Sequence, residues 1–381
     1  TANATRSDVD VPGTVSGGVR IPNTEGHRYS NRVDAGVNAT QSLYNRTNTA
    51  TIEQARRAYE IAQADLESAE QDLIVRVAQA YFDVLAAQDT LSAADAAIKA
   101  IGEQLASAKR NFEVGTATIT DTREAQARYD LAQAQLIAGQ NDLHTKRIAL
   151  NQLVGRADAV PKPLAATAVL PQVVPGEVGT WVDNADAQHP LVRKTRLGLD
   201  IAKLETERAR AADSPVVDLV GSVGANRTTG TLTPTPGNTT SAAIGVQLRM
   251  PLYTGGLIQN RIKETLSLED KARQDLEAAR RGVAQGTRVA FFGVQSGRAQ
   301  VNALEAAESS SKLALEATQL GYRVGVRVNL DVLNAQTQVF QTQRDLARAR
   351  YDVLVNGLRL RQASGQLRPE DINPVNALLE R

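Results

Sequence analysis

The residues that most often carry chemistry are sparse in this sequence and badly placed for it. His27, His144 and His189 are its three histidines, and they stand too far apart for metal-ligand spacing. There is no cysteine, so thiolate nucleophiles and disulfides are both excluded; this is compatible with an oxidising compartment such as the periplasm. Gly13, Gly17 and Gly18 form no phosphate-binding loop. The chain reads as a non-enzyme that needs no metal or cofactor. The informative glycines are Gly115 and Gly325, each after a valine, where a left-handed residue would end a helix. Thr120 or Asp121 follows the first as a candidate helix cap, and Asn329 follows the second.

Those two sites are copies of one another. Phe112 to Asp121 aligns with Tyr322 to Asp331, 210 residues on. The same interval relates Tyr81-Phe82 to Phe291-Phe292, Ala125-Gln126 to Ala335-Gln336, and Gly155 to Gly365. Leu43-Tyr44 matches Leu252-Tyr253 at an interval of 209, so one insertion or deletion intervenes. A period this long is a duplication rather than a solenoid. The second copy has a helical stretch before its strands, at about Pro190 to Asp213, and the first copy does not. The expectation is a chain that lacks its native N-terminus, with the leading helices, or one that was processed.

Composition fits long helices. Of 381 residues only 4% are aromatic, and alanine is abundant. From Ile52 to Phe112 there is no proline, and Gly102 is the one glycine. Apolar positions step by three and four through Ile52, Ala55, Tyr59, Ala62, Leu66, Ala69 and Leu73. They continue through Val77, Ala80, Val84, Ala87, Leu91, Ala94, Ile98, Ile101, Leu105, Ala108 and Phe112. This is a coiled-coil seam with one stutter, between Leu73 and Val77. About 65 such residues would reach roughly 100 Å, too long for a compact domain. Heptads alone would suggest a rod, but the strands argue otherwise.

Tyr29 to Tyr44 alternates, with Val33, Ala35, Val37 and Leu43 on one face and Arg28, Arg32, Asp34 and Asn38 on the other. Ala242 to Leu252 repeats the pattern, and Val217, Leu219, Gly221 and Val223 form a further strand. A period of two with one apolar face suits a tilted barrel strand. Polar loops are expected at Asp8 to His27 and Arg227 to Ser241. No apolar run reaches the roughly 20 residues of a spanning helix, so a membrane would be crossed by strands. Four strands cannot close alone, and open edges are not tolerated in lipid. Three copies would give twelve. A soluble antiparallel sandwich would not explain strands spliced onto helices this long. Charge is balanced, with 43 basic and 42 acidic residues, and gives no reason to expect nucleic acid.

With these features the sequence resembles the TolC family of outer-membrane channel-tunnel proteins over almost its whole length. The most specific segment runs from Gly321 through Tyr322, Gly325, Arg327, Asp331 and Asn334, with Ala349-Arg350-Tyr351-Asp352 beyond. Asn111 to Asp121, His189-Pro190-Leu191 and Ser214 to Ser222 also match family signatures. The resemblance implies an α+β membrane protein: a homotrimer whose twelve-stranded β-barrel, four strands per protomer, continues into a long α-helical coiled-coil tunnel. Residues 1–47 and 214–254 would supply strands, 48–155 and 255–365 the two helical hairpins, and 190–213 a tunnel helix. Residues 156–189 and the tail 366–381 would form an equatorial belt. Implied partners are a periplasmic adaptor, an inner-membrane transporter, the lipid of the outer membrane, and cargo that is either small drugs or a type I secreted toxin.

The resemblance also implies residue roles. Tyr322 would hydrogen-bond Asp121 and Arg327 would bond near Thr120, holding the tunnel entrance shut. Gln104 falls on an inter-protomer entrance contact whose acidic partner is replaced here by Gln319. Asp331 falls on a ring of carboxylates that would attract cations. The second such ring falls on Asn334, which implies weaker cation selectivity. The alternative of a periplasmic coiled-coil adaptor would call for one hairpin on a lipoyl-like domain, not two duplicated hairpins with four amphipathic strands.

Overall fold

The computed structural model describes residues 2–11, 15–16, 19–20, 26–165, 169–231 and 237–380. Two compact units emerge: Thr1–Ala58 with Leu199–Ala272, and Tyr59–Gly198 with Arg273–Arg381.

The first unit carries the sheet. Alternating apolar and polar residues give β1 (Ala2–Val11), β4 (Gly26–Tyr44), β5 (Val216–Thr229) and β6 (Gly237–Arg249), antiparallel in the order β1-β4-β5-β6. Val15–Ser16 (β2) and Val19–Arg20 (β3) pair separately. Three limits differ from the sequence expectation. β6 ends at Arg249 rather than Leu252, because Pro251 has no N–H to give to a ladder. β5 extends through Thr229, which shortens the loop expected from Arg227 to Ser241, and 232–236 lies outside the described residues. β1 likewise takes residues from the loop expected at Asp8 to His27, much of which also lies outside the described residues.

Register fixes the two faces, because opposed residues share a side. One face bears Val37 opposite Val223, Gly221 opposite Ile244, Leu219 opposite Val246 and Val217 opposite Leu248. Val37, Val223, Ile244, Val246 and Leu248 stand in the open, Val37 at 73% and Ile244 at 82% exposure, while Val217 and Leu219 are half-buried. The other face is polar, and there the Ser42 hydroxyl donates to Asp218 at 2.8 Å.

Below the strands the same unit holds a polar knot. On α4 (Pro190–Ala211), Glu205 accepts from Gln54 on α1 (Arg46–Glu113) at 2.9 Å. It also accepts from Arg208, and from Arg261 on α5 (Leu257–Arg323), both at 2.8 Å. Burial pushes the Glu205 carboxyl up, but these three donors together outweigh it and hold the group below its ordinary range.

The second unit is helical. α1 and α2 (Ile119–Val154) form one hairpin, α5 and α6 (Asn329–Ala363) the other. Val84, Ala87, Leu143 and Leu150 close the first hairpin; Val301, Leu346, Ala349 and Val353 close the second. Phe82 and Leu85 pack on Tyr351 and Leu354, with the Phe82 and Tyr351 rings stacked 5.6 Å apart. The Tyr351 hydroxyl donates to Asp89 at 2.6 Å; burial first, then this carboxylate, raises the phenol's pKa far above its usual value. Helix α3 (Val178–Gln188) was not foreseen inside 156–189; its Trp181 indole donates to the Pro175 carbonyl at 2.9 Å. The chain ends in a 3₁₀ turn (Pro369–Ile372) and α7 (Asn373–Asn376). Leu164 bridges Leu379 there, and Glu380 N–H donates to the Pro163 carbonyl.

Candidate functional site at the hairpin turns

Both hairpins turn on the same backbone. Gly115 has φ 78° and Gly325 φ 81°, a left-handed conformation that costs glycine no Cβ clash. The carbonyl of Asn111 accepts from the N–H groups of Thr116 and Ala117, and that of Gly321 accepts from Val326 and Arg327. The duplication is thus exact in hydrogen bonding where the side chains have diverged.

The side chains make the two turns unlike. Thr118, not Thr120 or Asp121, precedes α2 and caps it. Its hydroxyl accepts from the Asp121 N–H at 3.2 Å, and the Asp121 carboxylate accepts from the Thr118 N–H at 3.0 Å and its hydroxyl at 2.8 Å. This reciprocal capping box satisfies two orphan donors of the helix start. Thr120 lies inside the helix, exposed. At the second turn Val328 takes the preceding position and cannot cap, and Asn329 becomes the first helical residue.

These caps redraw the expected links. Among the described residues Tyr322 does not meet Asp121, whose carboxylate is engaged by its own cap. The Tyr322 hydroxyl instead accepts from the Asn111 amide at 3.3 Å, joining α5 to α1. Arg327 does not reach Thr120 either. It folds over Gly321, where an added Cβ would meet its Cγ at 2.8 Å, and pairs with Asp331 at 3.6 Å. Arg327 is therefore held within its own hairpin.

Asn329 is the node that the sequence reading missed. It is buried at 3% exposure, its side chain accepts from Gln104 on α1, and its amide makes a long contact of 3.5 Å with the Asp121 carbonyl on α2. Gln104 thus has a partner within one protomer, on the other hairpin. Asn334, exposed on α6, accepts from the Arg128 guanidinium on α2 at 2.9 Å. So four of the expected residues, Tyr322, Asp121, Gln104 and Asn334, contribute to ties between the hairpins, but through Asn111, Asn329 and Arg128. Arg327 and Asp331 pair with each other. The legible signal for Asn329 is an amide at a helix start, which suits a cap equally well.

The buried face of α6 near the turn is unusually polar. Asn329, Gln336 and Thr342 are buried there beside Val332, Leu333 and Val339, whereas Leu346, Val353, Leu354, Val355, Leu358 and Leu360 bury apolar groups further along. Gln336 Oε1 is buried without a hydrogen-bond partner among the described residues. Leu333 also packs there among Ile101, Leu105, Ala108, Ala125 and Ala132 of the first hairpin, so the junction mixes polar and apolar contacts. The arrangement ties two helical hairpins together near their turns; among the described residues no group of three or more His, Asp or Glu could hold a metal ion.

The family described as "Outer membrane efflux protein" matches residues 1–156 and 181–366. Outer membrane protein TolC of Vibrio cholerae is 33% identical over 355 residues, covering 93% of this chain and 81% of that protein. The alkaline protease secretion protein AprF of Pseudomonas aeruginosa is 32% identical over 312 residues, covering 81% of this chain and 65% of that protein. Among solved structures, the open-state MtrE outer membrane channel of Neisseria gonorrhoeae superposes with a TM-score of 0.74 at 23% identity, covering 97% of this chain and 80% of that one. This chain belongs to the outer membrane efflux protein family, the TolC family of outer-membrane exit ducts.

Proposed function

We propose that this protein is the outer-membrane duct of a tripartite export system, a passive homotrimeric channel whose gate is the set of ties between its two hairpins. The observation that carries this reading is the open sheet. β1 and β6 are the outer members of a four-stranded order, and an unpaired edge in lipid is too costly to persist. Pairing β6 of one copy with β1 of the next closes twelve strands. A second support lies on α1, where Ile52, Tyr59, Leu66 and Leu73 recur every seven residues and are 44–66% exposed. A heptad stripe left open in one protomer suits helix packing with another.

The turns at Gly115 and Gly325 would face a periplasmic adaptor, with an inner-membrane transporter beyond it supplying energy. Cross-hairpin bonds of Asn111–Tyr322, Gln104–Asn329 and Arg128–Asn334 would keep the entrance narrow until the adaptor docks. Asp331 and Asn334 would line the constriction as the selectivity positions. Cargo is a small molecule or a type I secreted protein; relatives of both printed kinds, efflux and protease secretion, resemble the chain. The test is planar-bilayer recording of the detergent-extracted protein. A trimeric species that conducts ions is expected; a monomer that needs no detergent and conducts nothing would contradict the reading.

A further inference from the structure

The exposed face of the sheet is apolar over most of its height but not at its loop end. Stepping from Val217 opposite Leu248 to Arg227 opposite Asn238 covers ten residues. That is about 33 Å of strand, or about 25 Å of depth at a tilt of about 40°, the height of a barrel's apolar band. Arg227 lies opposite Val33 and so on the same side as Val37, Val223 and Ile244. It therefore projects on the lipid side, at the band's upper limit. It is exposed, and among the described residues it has no ion-pair partner.

One step further out, Arg6 lies opposite Asn31 on that same side. Its guanidinium sits 5.7 Å from the centre of the Tyr29 ring, and its Nε donates to both Asp8 oxygens at 3.1 Å. Tyr29 and Asp8 are opposed in the next row, and Asp10 follows beyond them. Leaving the apolar band, the lipid-side face thus presents Arg227, then Arg6, then Tyr29 beside Asp8.

We propose that Arg227 and Arg6 bind the phosphate groups of the outer-leaflet lipid. An arginine at the hydrocarbon edge extends its charge toward the headgroups. Its planar donor fork fits a phosphate bidentately. Tyr29 and Asp8 hold the Arg6 fork in place, which lowers the ordering cost of binding. A trimer would carry six such arginines around its rim. The inference rests on the membrane placement of the sheet in the reading above, and on nothing at the hairpin turns.

The test is native mass spectrometry of the intact trimer released from neutral detergent with lipid A bearing two phosphates, one phosphate or none. Retention is expected to fall in that order, and Arg227→Gln and Arg6→Gln are each expected to weaken retention of the doubly phosphorylated lipid about tenfold. Arg249→Gln, at the other end of β6, is expected to change nothing. Millimolar inorganic phosphate is expected not to compete, since the lipid's acyl chains add burial that the free ion lacks. Equal retention of all three lipids, or wild-type retention by both single variants, would overturn the proposal, as would displacement by free phosphate. Trimer mass and conductance, read on the same preparations, test the duct reading separately.

Discussion

Gln104, in the last third of α1, donates its side-chain amide to Asn329, the first residue of α6. That one bond ties the two halves of a duplicated chain at a buried point near both Val-Gly turns. The repeat-mate of Asn329 is Ile119, which is 49% exposed, so the tie exists in one direction only. Each cross-hairpin bond contributes about 1 kcal/mol net. Three of them come to about 3 kcal/mol per protomer, within what a docking adaptor can offset.

Asn329→Ala should therefore open the gate more than the pair Tyr322→Phe with Arg327→Ser. The first leaves Gln104 without its acceptor at a buried site, a cost of about 1–3 kcal/mol. The second removes one half-buried hydrogen bond of 3.3 Å and one exposed ion pair of 3.6 Å. Single-channel conductance should rise in both and rise further in Asn329→Ala. The reverse order would show that Asn329 is only a packing residue.

Charge at the second turn gives a separate expectation. Asp331 is partly neutralised by Arg327 and makes a long 3.5 Å contact with the Val328 N–H. Arg327→Gln should increase preference for cations, and Asp331→Ala should reduce it. Reversal potentials in a salt gradient report both, and unchanged potentials would place Asp331 outside the conduction path.

Glu205 offers a test by pH. Its folded pKa lies below the ordinary 4.5, so its contribution to stability is complete above that value and is lost as pH falls through the lower folded one. Glu205→Gln should lower the melting temperature at pH 7, with the deficit shrinking below about pH 4. A deficit independent of pH would mean that its carboxylate charge is not what holds α1, α4 and α5.

Tyr351→Phe should act with the same pH sense as Glu205→Gln. It removes the donor to the half-buried Asp89, whose pKa burial already raises, leaving a carboxylate without its 2.6 Å partner. The loss at neutral pH should be about 1–3 kcal/mol and should diminish in acid, where Asp89 takes up a proton. Thermal melts at pH 7 and pH 4 give the comparison.

Much of the architecture was written in periodicity. The three-and-four stepping of α1 and the alternation of β4 are long patterns that one residue cannot mislead, and both glycine turns fell where expected. Ends of elements were less legible, because they depend on single groups: Pro251 stopped β6, and Thr118 took the cap from Thr120. Site partners were least legible. The family resemblance implied a bond from Tyr322 to Asp121, yet the Thr118 capping box engages that carboxylate and Tyr322 meets Asn111 instead. Gly321 in place of Asn111 gave Arg327 room to lie along its own hairpin. Which of two competing hydrogen bonds forms is decided by local geometry that no spacing rule encodes.

On the proposed reading the two hairpins must part before the channel conducts, and a sequence with no cysteine makes that movement directly testable. In a chain carrying Gln104→Cys and Asn329→Cys, a short bifunctional thiol reagent would join α1 to α6 within each protomer. Conductance measured before joining, after it, and after cleavage of the link should be raised, then minimal, then raised again. Conductance that stays raised in fully linked trimers would contradict the claim.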